Sequence, residues 1–226
     1  MTTAEQQLLE ILHTKGALDE VKRKRLLDAY IEASSPPKMS YEEFLKWADG
    51  KHTEWVKGMV ILMSPVSFFH QNIIEFLIAI LRPFVEKWQL GLILAAPYQM
   101  RLEESGREPD LMFIRQENLS RITKNYLNGG ADLVIEVISP ESINRDRGEK
   151  FYEYEKAGIP EYWLIDPIRQ EPEFYHLDAR GRYQLVRPNE DGLYFSKILT
   201  GLELPVSWLF EPPPVIEALR TLGIIP

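Results

Sequence analysis

The chain has 226 residues, 45% hydrophobic and 27% charged, which suits one globular domain with a small appendage. It contains no cysteine, which excludes a disulfide scaffold, a thiolate zinc site and a cysteine nucleophile and fits a reducing cytoplasm. A formal net charge of −8 counts against a nonspecific nucleic-acid coat, which needs a basic surface, but not against a cleft that holds phosphate locally.

In chain order, residues 4–31 show apolar positions at helical spacing, with a break at Gly16. The basic run Lys22–Arg25 reads as a solvated helix face, and Ser34-Ser35-Pro36-Pro37 as a linker. Residues 1–37 are therefore expected to be a helical extension, 38–210 the main domain and 211–226 a C-terminal tail with one helical turn or two.

Ser40 and Glu43 form a capping-box pattern that opens a short helix to Ala48. Glu54–Val56 and Met59–Met63, joined at Lys57-Gly58, read as a hairpin. Ser67–Trp88 reads as a long buried helix, kinked or broken at Pro83. Glu75, Arg82 and Pro83 interrupt its apolar run Ile73–Val85, so no membrane span is expected, and no basic apolar leader opens the sequence.

Leu92–Ala96 and Tyr98–Leu102 read as one long strand or two short ones, Glu103–Arg107 as a polar turn, and Asp110–Ile114 as the strand that pairs back. A polar stretch follows from Arg115 to Gly130. Leu133–Ile138 is apolar on both faces and is expected to be a central strand. A helix over Pro140–Ala157, closed by Gly158, and a strand Glu161–Asp166 complete a βαβ unit. Beyond Pro172 the pattern is all strand: a hairpin Phe174–Leu177 with Tyr183–Val186, then Tyr194–Leu199 and Leu202–Leu204.

The chemistry sits between Asp110 and Lys150. Two apolar strands each carry a carboxylate, Asp110 and Glu136. A buried carboxylate is costly to ionise unless a cation compensates it, and a divalent metal on oxygen ligands compensates two at once. Alternation places Glu136 on the face of Val134 and Ile138, and Asp110 on that of Met112 and Ile114. Asp146, Lys150 and Tyr154 stand at i, i+4 and i+8, one helical stripe that can point back at Glu136. Simpler roles also suit these residues: Asp110 as a turn cap or a partner of Arg107, Glu136 and Lys150 as a plain buried ion pair, Tyr154 and Trp163 as core, His70 as a structural histidine.

Pro109-Asp110, Glu136-Val137-Ile138-Ser139-Pro140-Glu141-Ser142, Asp146-Arg147-Gly148-Glu149-Lys150 and Gly158-Ile159-Pro160-Glu161-Tyr162-Trp163 together resemble the Uma-type restriction endonuclease family, a branch of the PD-(D/E)xK nuclease superfamily. The resemblance implies an α/β (α+β) fold: a restriction-endonuclease-like mixed sheet flanked by helices, here with a C-terminal β extension. It implies a metal-dependent endonuclease on DNA, with RNA as an open alternative, working in the cytoplasm as a homodimer. Asp110, Glu136 and the Val137 carbonyl would hold Mg2+ or Mn2+, with Glu54 joining them. Asp110, Glu136 and Lys150 would be catalytic, and Asp146, His70, Gln99 and Tyr154 supporting. The superfamily's usual lysine stands two residues after the glutamate, where this chain has Ile138. The resemblance places that role on Lys150. The competing expectation is an inactive nuclease-like fold that binds nucleic acid or protein.

Overall fold

The computed structural model describes residues 38–48, 51–140 and 142–226; the expected N-terminal helices and linker lie outside the described residues. The chain runs α1 (Tyr41–Trp47), β1 (Thr53–Val56), β2 (Met59–Leu62), α2 (Phe68–Lys87), β3 (Gly91–Ala95), β4 (Gln99–Arg101), β5 (Ser105–Arg107) and β6 (Leu111–Arg115). A 3-10 turn (Gln116–Arg121), β7 (Tyr126–Asn128) and β8 (Leu133–Val137) follow, then a π-helical segment (Arg145–Glu149) that continues into α3 (Lys150–Lys156). The remainder is β9 (Glu161–Asp166), β10 (Glu171–Leu177), β11 (Tyr183–Val186), β12 (Leu193–Phe195), β13 (Glu203–Pro205), a 3-10 turn (Val206–Leu209) and α4 (Val215–Thr221).

Two mixed sheets carry this fold. One has the order β11-β10-β9-β8-β6-β3 and the other β2-β1-β5-β4-β7, with a small β12-β13 ribbon beside them. β8 lies inside the first sheet, parallel to β9 and antiparallel to β6, and all five of its residues are buried. Its alternation is the expected one. Leu133, Ile135 and Val137 enter the core beneath α2, while Val134 and Ile138 enter the core that holds Tyr154 of α3. Burying each such side chain stabilises by about 1.5–3 kcal/mol, so the sheet's two faces fix where Glu136 points.

The short-range signals behave as their chemistry predicts. The Ser40 hydroxyl accepts from the Glu43 amide while the Glu43 carboxylate accepts from the Ser40 amide, the reciprocal cap that starts α1. Lys57 and Gly58 both take positive φ, 49° and 90°, which lets a two-residue turn match the strand twist.

Several expectations need correction. α2 runs unbroken through Pro83, because Phe84 and Val85 on the far side are locked into the core. α2 has the length and hydropathy of a span, but nine of its residues, including Leu77, Ile80 and Leu81, are buried in the protein, which makes it a core helix. β3 and β4 belong to different sheets, and β6 pairs with β3 rather than with β4. The expected turn Glu103–Arg107 contains β5, which joins β1 to β4. Gly106 reads as a turn residue but sits in this strand because any Cβ there would overlap the Tyr41 ring and the Gln99 amide. β7, inside the polar stretch, pairs in parallel with β4. The helix before β9 opens with a π turn, in which the Lys150 amide bonds to the Arg145 carbonyl.

The C-terminal strands are fastened by one buried carboxylate. Glu161, at the start of β9, accepts from Trp163 Nε1 (2.6 Å), Tyr194 Oη (2.7 Å), Ser196 Oγ (3.1 Å) and the Ile198 amide (2.9 Å). Tyr194→Phe is expected to cost about 1–2 kcal/mol, read as a lower urea midpoint, because a charged acceptor loses one donor and keeps three.

Candidate active site

Three segments converge at the seam between the two sheets. β1 supplies Glu54, the end of β5 supplies Arg107, the β5–β6 connection supplies Glu108 and Asp110, and β8 with the following helix supplies Glu136, Asp146, Lys150 and Tyr154. Continuing the Leu111↔Ile135 register by one step sets Asp110 across from Glu136, so strand pairing itself brings the two expected carboxylates together. Asp110 Oδ2 accepts from the Val137 amide at 2.7 Å and lies 3.1 Å from His70 Nε2, in the first turn of α2. His70 is buried and steadies the carboxylate from the helix side.

Lys150 Nζ is the central cation. It lies 2.9 Å from Glu136 Oε1, 3.2 Å from Glu54 Oε1 and 3.4 Å from Asp146 Oδ1, and its side chain is only 2% exposed. Tyr154 Oη donates to the same Glu136 oxygen at 2.7 Å. The stripe Asp146–Lys150–Tyr154 therefore faces Glu136 as its spacing implies, with Asp146 on the π turn. Lys150 carries its charge here: burial opposes protonation, but Glu136, Glu54 and Asp146 outweigh it and raise its pKa. Burial likewise opposes ionisation of Glu54, yet Lys150 and Arg107 hold its carboxyl below the usual range.

Glu136 behaves in the opposite way. Burial, then the charges of Asp146, Asp110 and Glu54, push it up to about 8 despite the lysine. Asp146 Oδ1 is buried and makes no hydrogen bond. Five carboxylates (Glu54, Glu108, Asp110, Glu136, Asp146) thus gather at one place: Lys150 pairs with Glu54, Glu136 and Asp146, Arg107 with Glu54, while Asp110 lies against His70 and Glu108 against Gln99, and Arg145 lines the cleft.

That imbalance is the test of whether a divalent ion fits. The surplus of carboxylates over cations and an all-oxygen donor set match Mg2+ or Mn2+ in hardness and sign. Among the described residues no three carboxylate or imidazole groups already stand at metal-ligand spacing, because Lys150 occupies their centre. The donors fit the ion; the cage is not pre-assembled.

Two residues escape sequence reasoning. Arg107, fully buried, does not pair with Asp110; it bridges Glu54 Oε2 (3.0 Å) and Glu153 Oε2 (2.7 Å), tying β1 to α3. Glu108 takes its amide to Glu54 Oε1 and accepts from Gln99 Nε2 at 2.8 Å; burial pushes it up to about 7. Gln99 thus reaches the site only through Glu108 and the Thr53 carbonyl. Arg-Glu-Pro-Asp, at the end of β5 and on the β5–β6 connection, was the available signal; it is masked because β5 reads as a turn.

The Uma2 family model, described as "Putative restriction endonuclease", matches residues 41–207, well over half of the chain and all of the site. The fold is similar to a solved structure titled "a putative nuclease belonging to DUF820 from Anabaena variabilis ATCC 29413", with TM-score 0.66 and 19% identity over 76% of this chain and 98% of that one. No curated protein matches the chain. A family match spanning both sheets, over a fold shared with a nuclease-titled structure, fixes the assignment: the chain belongs to the Uma2 family.

Proposed function

We propose that this protein is a divalent-metal-dependent endonuclease that hydrolyses phosphodiester bonds in DNA. The observation that carries the reading is the pairing of Asp110 and Glu136 across β6 and β8, with Lys150 Nζ 2.9 Å from Glu136. Asp110 and Glu136 would hold Mg2+ or Mn2+, with the Val137 carbonyl and Glu54 as further oxygen ligands. Such an ion supplies Lewis acidity and neutralises charge on the phosphoryl oxygens. Lys150 orients the attacking water and stabilises the charge that develops on phosphorus. Water oxygen bonds to phosphorus and gives up a proton to solvent, the ester bond to the sugar oxygen breaks, and the leaving oxygen takes a proton from solvent. Tyr154 and Asp146 hold Lys150 and Glu136 in place, His70 holds Asp110, and Arg107 holds Glu54. A homodimer in a cytoplasmic setting belongs to the same reading, and sedimentation equilibrium checks the dimer.

Plasmid DNA incubated with the protein and Mg2+ or Mn2+ is the direct test, with cleavage expected. Calorimetry adds an independent readout. Wild type should bind Mn2+, and Asp110→Asn should weaken binding by about a hundredfold or more. The second reading is a nuclease-like binding module, favoured by the saturation of Lys150 with three carboxylates. Failure to bind Mn2+ would favour it.

A further inference from the structure

Beside the small carboxylate cleft lies a much larger cavity. The cleft has room for about 60 Å³, on the order of two waters. The neighbouring cavity, between the β2–α2 loop, α2 and the end of β3, holds about 510 Å³, a size typical of small-molecule sites. The two are continuous: Met63, Ser64, Val66, His70, Glu108 and Asp110 line both.

The larger cavity is built for something other than phosphate. Pro65, Val66, Ile74, Ile78 and Ala95 give it hydrocarbon walls, and His52, Ser64, His70, Gln71, Glu108 and Asp110 give it a polar lining whose two carboxylates disfavour an anion. A nucleobase is a flat apolar ring with a hydrogen-bonding edge, and hydrocarbon walls beside the polar side chains of Gln71, His52 and Glu108 match that mixture. The loop that rims the cavity leads straight into Phe68 and Phe69, which are 76% and 70% exposed and offer stacking surface to adjacent bases. An acidic chain gains little from phosphate contacts, so base contacts are the available source of affinity.

We propose that this cavity receives one unpaired nucleobase next to the scissile phosphate, making single-stranded or locally unpaired DNA the preferred substrate. The proposal rests on the nuclease reading above and names its substrate class. A paired base must be unstacked and flipped before it can enter, and a base already unpaired avoids that cost.

The test uses the full chain and fluorescence anisotropy in Ca2+, with three labelled DNAs: a single strand, a duplex with one unpaired base, and a fully matched duplex. The first two should bind about tenfold or more tightly than the third. Pro65→Trp, on the exposed loop, and Ala95→Phe, on the wall, line the larger cavity but not the carboxylate cleft; they should erase that preference and leave matched-duplex binding unchanged. Pro65 is an exposed loop residue, so its variant keeps the test valid if Ala95→Phe misfolds. Equal binding of all three DNAs by wild type, or a preference that survives both substitutions, overturns the cavity assignment alone. Metal-dependent cleavage that persists in either case leaves the nuclease reading standing. No binding to any DNA and no cleavage overturns both.

Discussion

Glu136→Gln is expected to lower metal-dependent DNA cleavage by about a thousandfold or more while leaving the fold at least as stable in chelator. The two halves of that expectation have one cause. In the metal-free protein, burial first and the neighbouring carboxylates second push the Glu136 carboxyl up, so its negative charge is held against both burial and like-charge repulsion. Glutamine has the same shape and no charge. Its carbonyl can accept from Lys150 and Tyr154, which now donate to Glu136 Oε1. Lys150 keeps Glu54 and Asp146 as counter-charges. Catalysis needs what glutamine lacks, an anionic oxygen to hold a cation against the phosphate, and removing such an electrostatic element costs about two to three orders of magnitude or more. Thermal melts in chelator, melts with Mn2+ and plasmid cleavage together read this out. Wild type should gain stability with Mn2+ and Glu136→Gln should not. Equal cleavage by the variant would sink the assignment of Glu136. A fall in chelator-state stability of several kcal/mol would instead mark Glu136 as a structural anion.

The parts of this site that were legible in the sequence are those fixed by local pattern. A five-residue strand apolar on both faces can only be central, so Glu136 within it announced itself, and strict alternation told which face it takes. The stripe Asp146–Lys150–Tyr154 was visible as spacing, though the π turn that carries Asp146 was not, since nothing in Arg-Asp-Arg-Gly-Glu requires the wider turn. What sequence could not show comes from pairing between distant strands. β5 is Ser-Gly-Arg, with little intrinsic strand preference; it is a strand because β1 and β4 flank it. Once β5 is missed, Arg107 and Glu108 look like turn residues, and their bonds to Glu54 have no visible reason. Gln99 carries a supporting role in the resemblance, but its partner Glu108 is invisible while β5 reads as a turn.

Lys150→Met should destabilise the metal-free protein by about 3–5 kcal/mol, because it strands buried carboxylates around an uncharged side chain. Methionine fills similar volume, so the loss reports charge rather than a cavity. Lys150 is 2% exposed and serves Glu136, Glu54 and Asp146 at once; of these only Glu54 has a second cation, Arg107 at 3.0 Å. For a domain of this size the cost corresponds to a fall of about 10 °C in melting temperature. The double variant Lys150→Met with Glu136→Gln should lose less than Lys150→Met alone, since one stranded carboxylate has been neutralised; the non-additivity measures the pair. Mn2+ then separates a metal centre from a purely structural ion cluster. In a metal centre the lysine and the ion compete for the same oxygens, so Lys150→Met should bind Mn2+ more tightly than wild type and regain most of its lost stability when Mn2+ is present. Cleavage should stay lost, because the ion replaces the charge of Lys150 without replacing its ammonium protons beside the attacking water. A variant that melts equally low with and without Mn2+ would show that these carboxylates exist to hold Lys150, and that the nuclease reading has its metal in the wrong place.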